Sequence, residues 1–298
     1  MRVVSLVPAA TEIACALGAS DSLVAVTHDC DYPASVRALP RITRSTIPVG
    51  STSRQIDTLV RAAAHDGDST FHLDADALRA AKPDVILGQT LCEVCAVTLA
   101  QVPRALNAEQ IVVPVDGVSL DGIFADIKRV ADALDRDGAG EDLARQLSAR
   151  LDDVRARVRH LAPPRVACLE WLDPLFYGGH WVPEQVAIAG GVDVLGTAAE
   201  RSREVPWDIV RRADPDVLVC MPCGFDAERG AADAARLRTE PGWDALRAVR
   251  EKRAFAVDGN AYFSRPGPRV VDGVELLASL LHPGAVGAPP AARVIALA

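Results

Sequence analysis

The segment FADIKRVADALDRDGAGEDLARQLSARLDDVRARVRHL, residues 124–161, decides the organisation of this chain of 298 residues. Its apolar residues recur at the spacing of an amphipathic helix, and the pattern is interrupted only near DGAG, residues 137–140. Pro163 and Pro164 end it, because proline cannot continue a helix. We therefore predict two helices, or one long broken helix, between Leu120 and about Leu161.

The residues on either side have the alternating strand and helix pattern that is typical of parallel α/β sheets. On the N-terminal side the predicted strands are RVVSLV (2–7), LVAVT (23–27), DVILG (84–88) and QIVVPV (110–115), and the predicted helices are 11–18, 53–65 and 74–82. On the C-terminal side the predicted strands are RVACLE (165–170), DVLVC (216–220) and, as the last strand, AFAVD (254–258), with helices at 183–191, 206–213 and 231–249. KPDVILGQTLC and DPDVLVCMPC are similar enough to suggest a duplicated architecture. We predict an N-terminal lobe at 1–118, a helical linker at 119–162 and a C-terminal lobe at 163–298.

The composition excludes several classes of protein. Hydrophobic residues make up 49% and charged residues 24% of the chain, as in globular proteins. The net charge of −8 and the lack of a basic run argue against nucleic-acid binding, and no stretch is apolar enough for membrane insertion. An odd number of cysteines, seven, and an N-terminus without signal-peptide features predict a cytoplasmic protein, or a periplasmic or cell-surface one if a leader was removed.

Unusual residues follow five of the predicted strands. They are His28 to Pro33 after LVAVT, Cys92 to Cys95 after DVILG, Trp171, Phe176, Tyr177, His180 and Trp181 after RVACLE, Pro222 and Cys223 after DVLVC, and Asn260, Tyr262, Phe263 and Arg265 after AFAVD. Parallel α/β sheets bind ligands at the carboxyl ends of their strands. Since only 4% of the chain is aromatic, this concentration predicts a ligand cleft between two lobes.

The sequence resembles the substrate-binding proteins that have two Rossmann-like lobes joined by a long backbone helix, the class III fold, and within them the cobalamin-binding branch of the iron-siderophore and cobalamin family. The resemblance covers nearly the whole chain. It depends on SLVPAATEIACALG, VAVTHDCDYP, KPDVIL, the helical linker, LDPLFYGGHWVPEQVAIAGG with VPWDIV, and YFSRPGPRVVDG. It implies an α/β fold with parallel sheets and a binding protein of an ABC importer, not an enzyme.

The resemblance also implies a ligand, a corrinoid such as cobalamin held between the lobes. In relatives, the loops that match Asp29 to Tyr32, Phe176 with Tyr177, and Tyr262 with Phe263 provide aromatic contacts to the corrin. Since a corrin is a broad apolar ring edged with amides, aromatic faces would supply area and a few donors would orient it. The full set of expected contacts is Asp29, Tyr32, Trp171, Phe176, Tyr177, His180, Trp181, Asn260, Tyr262, Phe263 and Arg265.

Two features depart from the family pattern. Exported members carry a leader and place an acidic residue on each lobe to dock onto a membrane permease; Asp76 could fill one such position, but the other falls at Ser264. Permease docking is therefore in doubt, and a non-exported relative that handles or senses a corrinoid is one interpretation.

The cysteines suggest a different interpretation. His28, Cys30, Cys92, Cys95 and Cys223 all follow predicted strands, and thiolates with imidazole suit zinc, iron or the cobalt of a corrinoid. The alternative is that these thiols are packing residues, since a single CxxC motif is common. A cytoplasmic metal or cluster protein, possibly enzymatic, is thus the second hypothesis, although no GxSxG, Walker, GxGxxG or HExxH motif occurs.

Overall fold

A computed structural model describes residues 1–90, 97–102 and 110–298. Its strands are β1 (Val3–Ser5), β2 (Leu23–Ala25), β3 (Thr43–Ser45), β4 (Phe71–Leu73), β5 (Val85–Gly88), β6 (Ile111–Pro114), β7 (Arg165–Leu172), β8 (Leu175–Tyr177), β9 (Val192–Asp193), β10 (Val217–Cys220), β11 (Ala254–Val257) and β12 (Val294–Ala296). Its α-helices are α1 (Pro8–Ala16), α2 (Ser53–His65), α3 (Ala75–Ala81), α4 (Leu120–Ala133), α5 (Asp137–Val158), α6 (Val182–Ile188), α7 (Trp207–Ala213), α8 (Ala227–Ala234), α9 (Arg247–Arg250), α10 (Gly259–Tyr262) and α11 (Val270–Leu281).

The N-terminal lobe contains a parallel sheet of strand order β2-β1-β5-β6. The predicted strands are all present, and β1 and β5 are buried because the sheet is covered on both faces. Helix α2 begins at the predicted residue, since Thr52 accepts from the Gln55 amide and Gln55 binds back to the Thr52 amide in a capping box. An antiparallel pair, β3 with β4, was not predicted from the sequence.

The C-terminal lobe contains a sheet of order β12-β11-β10-β7-β8, with β9 paired to β7. Its centre is parallel, as predicted, but β8 and β12 are antiparallel to their neighbours. The prediction that AFAVD is the last strand is therefore wrong. The single helix predicted at 231–249 is also wrong, because the chain breaks at Pro241 and Gly242, where Gly242 has a φ of +79° that only glycine adopts readily.

The linker consists of two packed helices, α4 and α5. The break lies at residues 134–136, where Asp135 has a φ of +53°, and DGAG begins α5 instead of interrupting it. The two helices approach closely at Gly140, since a Cβ placed there would lie 2.4 Å from the Ala131 methyl group. The Glu184 carboxylate of α6 accepts a 2.7 Å hydrogen bond from the Leu120 amide, so the C-terminal lobe helps to fix the start of α4.

The core is continuous through the linker. One apolar cluster contains Val3 and Ile13 of the N-terminal lobe, Ile127 and Leu151 of the linker helices, and Val274 of the C-terminal lobe. Each of these side chains is almost fully buried. The division at residues 118 and 162 stays a prediction. In the described ranges, no helix combines the length and the apolar character required to cross a bilayer.

Gly259 provides a test of the packing at the second sheet. A Cβ on Gly259 would lie 2.4 Å from the carbonyl oxygens of both Met221 and Pro222, and backbone cannot move aside cheaply. We expect Gly259→Ala to lower the free energy of unfolding in urea by about 1–3 kcal/mol. Gly138→Ala is the control, because a Cβ at Gly138 has no neighbour within 4 Å and alanine favours a helix by up to about 1 kcal/mol. Equal losses in the two variants would contradict this packing.

Candidate functional site

The loop that follows β2 and the turn that follows α10 meet between the two sheets. Arg265 is only 7% exposed, and its Nη1 donates to the Asp31 carboxylate at 2.5 Å and to Glu12 Oε1 at 3.0 Å. Its Nη2 donates to the Asp29 carbonyl oxygen at 3.0 Å. The carboxyl ends of strands from both sheets therefore face each other, as the sequence predicted.

Arg269 completes this contact. Its Nε and Nη2 donate to the two carboxylate oxygens of Glu12 at 2.8 and 2.6 Å, and its guanidinium lies 4.2 Å from the centre of the Tyr32 ring. Glu12 is 4% exposed, so a buried carboxylate is bound by two guanidinium groups of the other lobe. We call Glu12, Asp31, Tyr32, Arg265 and Arg269 the arginine cluster.

A second polar contact joins the lobes along α2. Arg54 donates to both carboxylate oxygens of Asp173, at 2.9 and 2.5 Å, and Arg61 pairs with Glu204 at 3.0 Å. Ser53 donates to Asp233 at 3.0 Å. Arg229 donates to the Ser51 carbonyl oxygen at 2.9 Å. We call this set the α2 contact, and its arginine side chains are largely exposed, 67% for Arg54 and 56% for Arg61.

Aromatic residues lie beside the α2 contact. Trp171, Phe176 and Tyr177 are on the β7–β8 hairpin, each partly exposed, and Asp173 is in its turn. The Trp171 ring meets Phe225 edge-on at 5.4 Å between centroids, and Arg229 lies 3.6 Å above the Phe225 ring. Sequence analysis missed Phe225, although its place directly after β10 was a usable signal.

His28 lies at the same end of the N-terminal sheet. Its Nδ1 is 2.7 Å from the Thr43 hydroxyl, its ring stacks on Phe71 at 5.6 Å, and its Nε2 is 3.3 Å from the Asp29 carboxylate. The stacking partner Phe71 was not found from the sequence, because it belongs to the unpredicted β3–β4 pair.

Other expected ligand contacts are placed differently. Trp181, Tyr262 and Phe263 are 6%, 5% and 4% exposed and pack into the core. Arg265, expected to donate to a ligand, is instead bound to acceptors of the N-terminal lobe. Asn260 is partly exposed, and its backbone N–H donates to the Phe225 carbonyl oxygen at 3.1 Å.

The predicted metal ligands are not assembled in the part of the chain that is described. Cys30 is 1% exposed, and its Sγ lies 3.0 and 3.1 Å from the hydroxyls of Thr11 and Thr27. Burial raises the pKa of this thiol, which disfavours the thiolate that binds metals. Cys92 and Cys95 lie outside the described residues. Within residues 1–90, 97–102 and 110–298, no three His, Cys, Asp or Glu side chains, His28 and Cys223 included, form a group that could hold a metal ion.

A cavity of about 400 Å³ adjoins the arginine cluster. Its wall includes Tyr32, Arg150, Tyr262, Arg269 and Pro289, so both lobes and the linker line it. A second cavity of about 570 Å³ lies between α4 and α5. Neither cavity includes the aromatic pair Trp171 and Phe225.

Comparison with known proteins identifies the family. The family model described as periplasmic binding protein matches residues 3–261, and the chain belongs to this family. The predicted fold class, two Rossmann-like lobes with a helical linker, is confirmed. Membership also supports, at the level of the family, the expectation of a binding protein and not an enzyme.

Individual relatives are distant but cover the chain. A vitamin B12-binding protein of Vibrio cholerae serotype O1 is 26% identical over 287 residues, which span 94% of this chain and 88% of the relative. An uncharacterised ABC transporter substrate-binding lipoprotein of Bacillus subtilis is 22% identical over 95% of this chain and 80% of its own. The crystal structure of a periplasmic heme binding protein from Pseudomonas aeruginosa superposes with a TM-score of 0.73 at 20% identity, covering 98% and 97% of the two chains.

The arginine cluster and the α2 contact should differ in their contribution to stability. Glu12→Ala leaves two buried guanidinium groups short of a counter-charge, so we expect a loss of about 3–5 kcal/mol in the free energy of unfolding. Arg54→Ala removes an exposed arginine, while its largely buried partner Asp173 keeps Arg236 at 3.6 Å. It should cost under about 1 kcal/mol, less in 1 M NaCl than in 0.1 M, because salt screens exposed charges. Urea unfolding at both salt concentrations measures this, and similar losses for the two variants would contradict the assignment.

His180 gives a prediction about pH. Burial, together with Arg201, lowers the pKa of His180 below its usual 6.5. As the pH falls below about 6.5, the unfolded chain binds a proton at this position before the folded protein does, so the stability falls. His180→Asn should reduce the loss in free energy of unfolding between pH 7.5 and 5.5, and asparagine tolerates the φ of +54° found here. Parallel pH curves for the two proteins would contradict this.

Proposed function

We propose that this protein is a substrate-binding protein of an ABC importer, and that it binds a corrinoid between its two lobes. The observation that carries the proposal is that loops of the two lobes meet at two contacts and that each contact has aromatic residues with exposed surface: Tyr32 at the arginine cluster, and Trp171, Phe176 and Tyr177 beside the α2 contact. The vitamin B12-binding relative of Vibrio cholerae supports the ligand class.

The chemistry of these loops suits a broad, flat ligand. Three or four aromatic side chains would each contribute about 2 kcal/mol from buried area, before the cost of ordering the complex. The exposed carboxylate of Asp29 and the side chain of Asn260 could then accept from, or donate to, the amides at the edge of a corrin. Together these terms are sufficient for micromolar binding or better.

Binding of such a ligand requires the lobes to separate along α2. Drug-sized ligands already fill pockets of about 300–1,000 Å³, and a corrinoid is larger. The exposed ion pairs of the α2 contact are weak, whereas the arginine cluster is buried. We therefore infer that the ligand enters past Arg54 and Asp173 and reaches the partly exposed rings of Trp171 and Phe176.

A heme-like ligand is the second candidate. The similar fold of a heme binding protein from Pseudomonas aeruginosa supports it. So does His28, whose ring is oriented through Nδ1 by the Thr43 hydroxyl, as many metal-binding histidines are oriented by a hydrogen bond; to bind a metal, its Nε2 would exchange the Asp29 carboxylate, 3.3 Å away, for the ion. The expected zinc or iron centre remains a separate proposal that depends on Cys92 and Cys95.

Transport also needs a permease, and the two positions proposed for docking, Asp76 and Ser264, differ in charge and in hydrogen bonding. The Asp76 side chain is 94% exposed, with Arg79 as its partner. Ser264 instead donates its hydroxyl to the Gly259 carbonyl oxygen at 2.8 Å. The names of the relatives are those of periplasmic proteins and lipoproteins, so the expectation of a cytoplasmic location finds no support in them.

Titration tests the ligand. Hydroxocobalamin, dicyanocobinamide and hemin are each added to the purified protein while the visible bands are followed. We expect the corrinoids to bind with a Kd below about 10 μM, and Trp171→Ala with Phe176→Ala to weaken binding at least about tenfold, or 1.4 kcal/mol.

Trp207→Phe is the matched control, because the Trp207 ring stacks on Trp243 and its Nε1 donates to the Pro241 carbonyl oxygen, neither of which is a candidate ligand contact. It should leave the Kd unchanged. Tight binding of hemin alone would replace the corrinoid with the second candidate. Failure of all three to bind at about 50 μM would end the tetrapyrrole proposal.

A further inference from the structure

We propose that Arg265 and Arg269 are positioning residues: from the C-terminal lobe they hold the 28–32 loop of the N-terminal lobe in its ligand-binding shape. The affinity of the loop for a ligand then depends on contact between the lobes. This inference rests on the proposed function, because it assigns the control of the same site.

The 28–32 loop depends on arginine side chains for its shape. Its carbonyl oxygens bind guanidinium groups: Arg41 donates to Cys30 O at 2.8 Å, Arg37 to Asp31 O at 3.0 Å, and Arg265 to Asp29 O at 3.0 Å. Arg37 and Arg41 belong to the same lobe as the loop. Arg265 belongs to the other lobe, so one of these three constraints is lost when the lobes part.

The two residues most exposed in this loop are those that the C-terminal lobe contacts. The side chain of Asp29 is 50% exposed, and Tyr32, counted as a whole residue, is 49% exposed. Arg265 binds the backbone of Asp29, and Arg269 covers one face of the Tyr32 ring at 4.2 Å. The remaining surface of both residues is available to a ligand.

Glu12 fixes the two guanidinium groups in turn. Arg269 is bound through Nε and Nη2, the bidentate geometry that a lysine cannot reproduce. Because Glu12 is on α1, which packs in the shared core, the position of Arg269 is set by the core and not by the loop. The core therefore fixes the position of Glu12, Glu12 fixes the guanidinium of Arg269, and Arg269 fixes the ring of Tyr32.

The consequence is a coupling between lobe separation and ligand release. When the lobes are in contact, Asp29, Asp31 and Tyr32 are all held from the C-terminal lobe. When they separate at the arginine cluster, the loop keeps its bonds within the N-terminal lobe, from Arg37 and Arg41 and around His28 and Cys30. It loses every contact with the C-terminal lobe that holds Asp29, Asp31 and Tyr32, so this end of the loop loses its binding shape. A force that separates the lobes would thus release a ligand without any direct contact with it.

The test uses Arg269→Gln and Arg269→Lys in the full chain, because Arg265 remains to pair with Glu12 and the variants are expected to fold. Hydrogen exchange of the amides at 28–32 is measured without ligand. We expect the amides to exchange faster than in the wild-type protein in both variants. The exchange rates of the lysine variant should return at most part of the way to the wild-type rates. Unchanged exchange in this loop would overturn the proposal whatever the ligand is.

Binding gives a second, independent measurement. With hydroxocobalamin as the probe, Arg269→Gln should raise the Kd about tenfold, and so should Tyr32→Ala. If Arg269 acts through Tyr32, the double variant should bind no more weakly than Tyr32→Ala alone. Multiplied losses, about a hundredfold, would show that Arg269 acts by another route and would overturn the positioning role.

Arg150→Gln is the matched control. Arg150 makes ion pairs with Asp272 and Glu275 and lines the same cavity as Arg269, but its guanidinium does not bind Glu12 or lie over the Tyr32 ring, as that of Arg269 does. It should leave both the exchange of the loop and the Kd unchanged, whereas faster loop exchange in this variant would mean that a general loss of stability explains the effect. If the wild-type protein binds no corrinoid, the proposed function fails, while the hydrogen-exchange result still decides the positioning role.

Discussion

The structure depends on one buried ionic interaction, the binding of the Glu12 carboxylate by Arg265 and Arg269. Two cations and an anion removed from water are costly unless each is paired with good geometry, and here the guanidinium groups use both carboxylate oxygens. The interaction joins α1 of one lobe to the turn after α10 of the other. It thereby determines how the carboxyl ends of the two sheets face each other.

The two contacts between the lobes have different roles: the arginine cluster holds the lobes together, and the α2 contact allows them to separate. The arginine cluster is buried and is bound to loops that form the candidate site. The α2 contact is exposed, and its long side chains gain little from pairing because water and salt compete with them. Lobe motion is therefore expected to begin along α2, and the 28–32 loop stays held from the C-terminal lobe until the arginine cluster itself is disturbed.

Much of the fold was predictable because its signals are local. The capping box of Thr52 and Gln55 marks the start of α2, and glycine or proline marks the ends of several helices. The positions after the strands were also predictable, since strand order follows from alternating βα units. The antiparallel strands β8 and β12 were not, because they lie at the edges of the sheet and outside the alternating βα pattern from which the parallel strands were predicted.

The candidate site was predicted less well, for a physical reason. The sequence shows that Arg265 is a donor near the cleft, but not that its acceptors, Glu12 and Asp31, are more than 230 positions away in the chain. Trp171 and Tyr32 keep exposed surface, whereas Trp181 and Tyr262 are buried. Composition does not reveal which aromatic ring faces solvent.

The shared apolar cluster has a consequence for how the chain can be divided. Val3, Ile127, Leu151 and Val274 lie in one cluster, so neither sheet completes its core without the linker helices and the other half. A gene cut at residue 162 would produce two fragments, each exposing an unpaired apolar face that favours aggregation. The two lobes share one of the apolar clusters found in the described residues, and the two halves of the chain are therefore expected to be synthesised and degraded together.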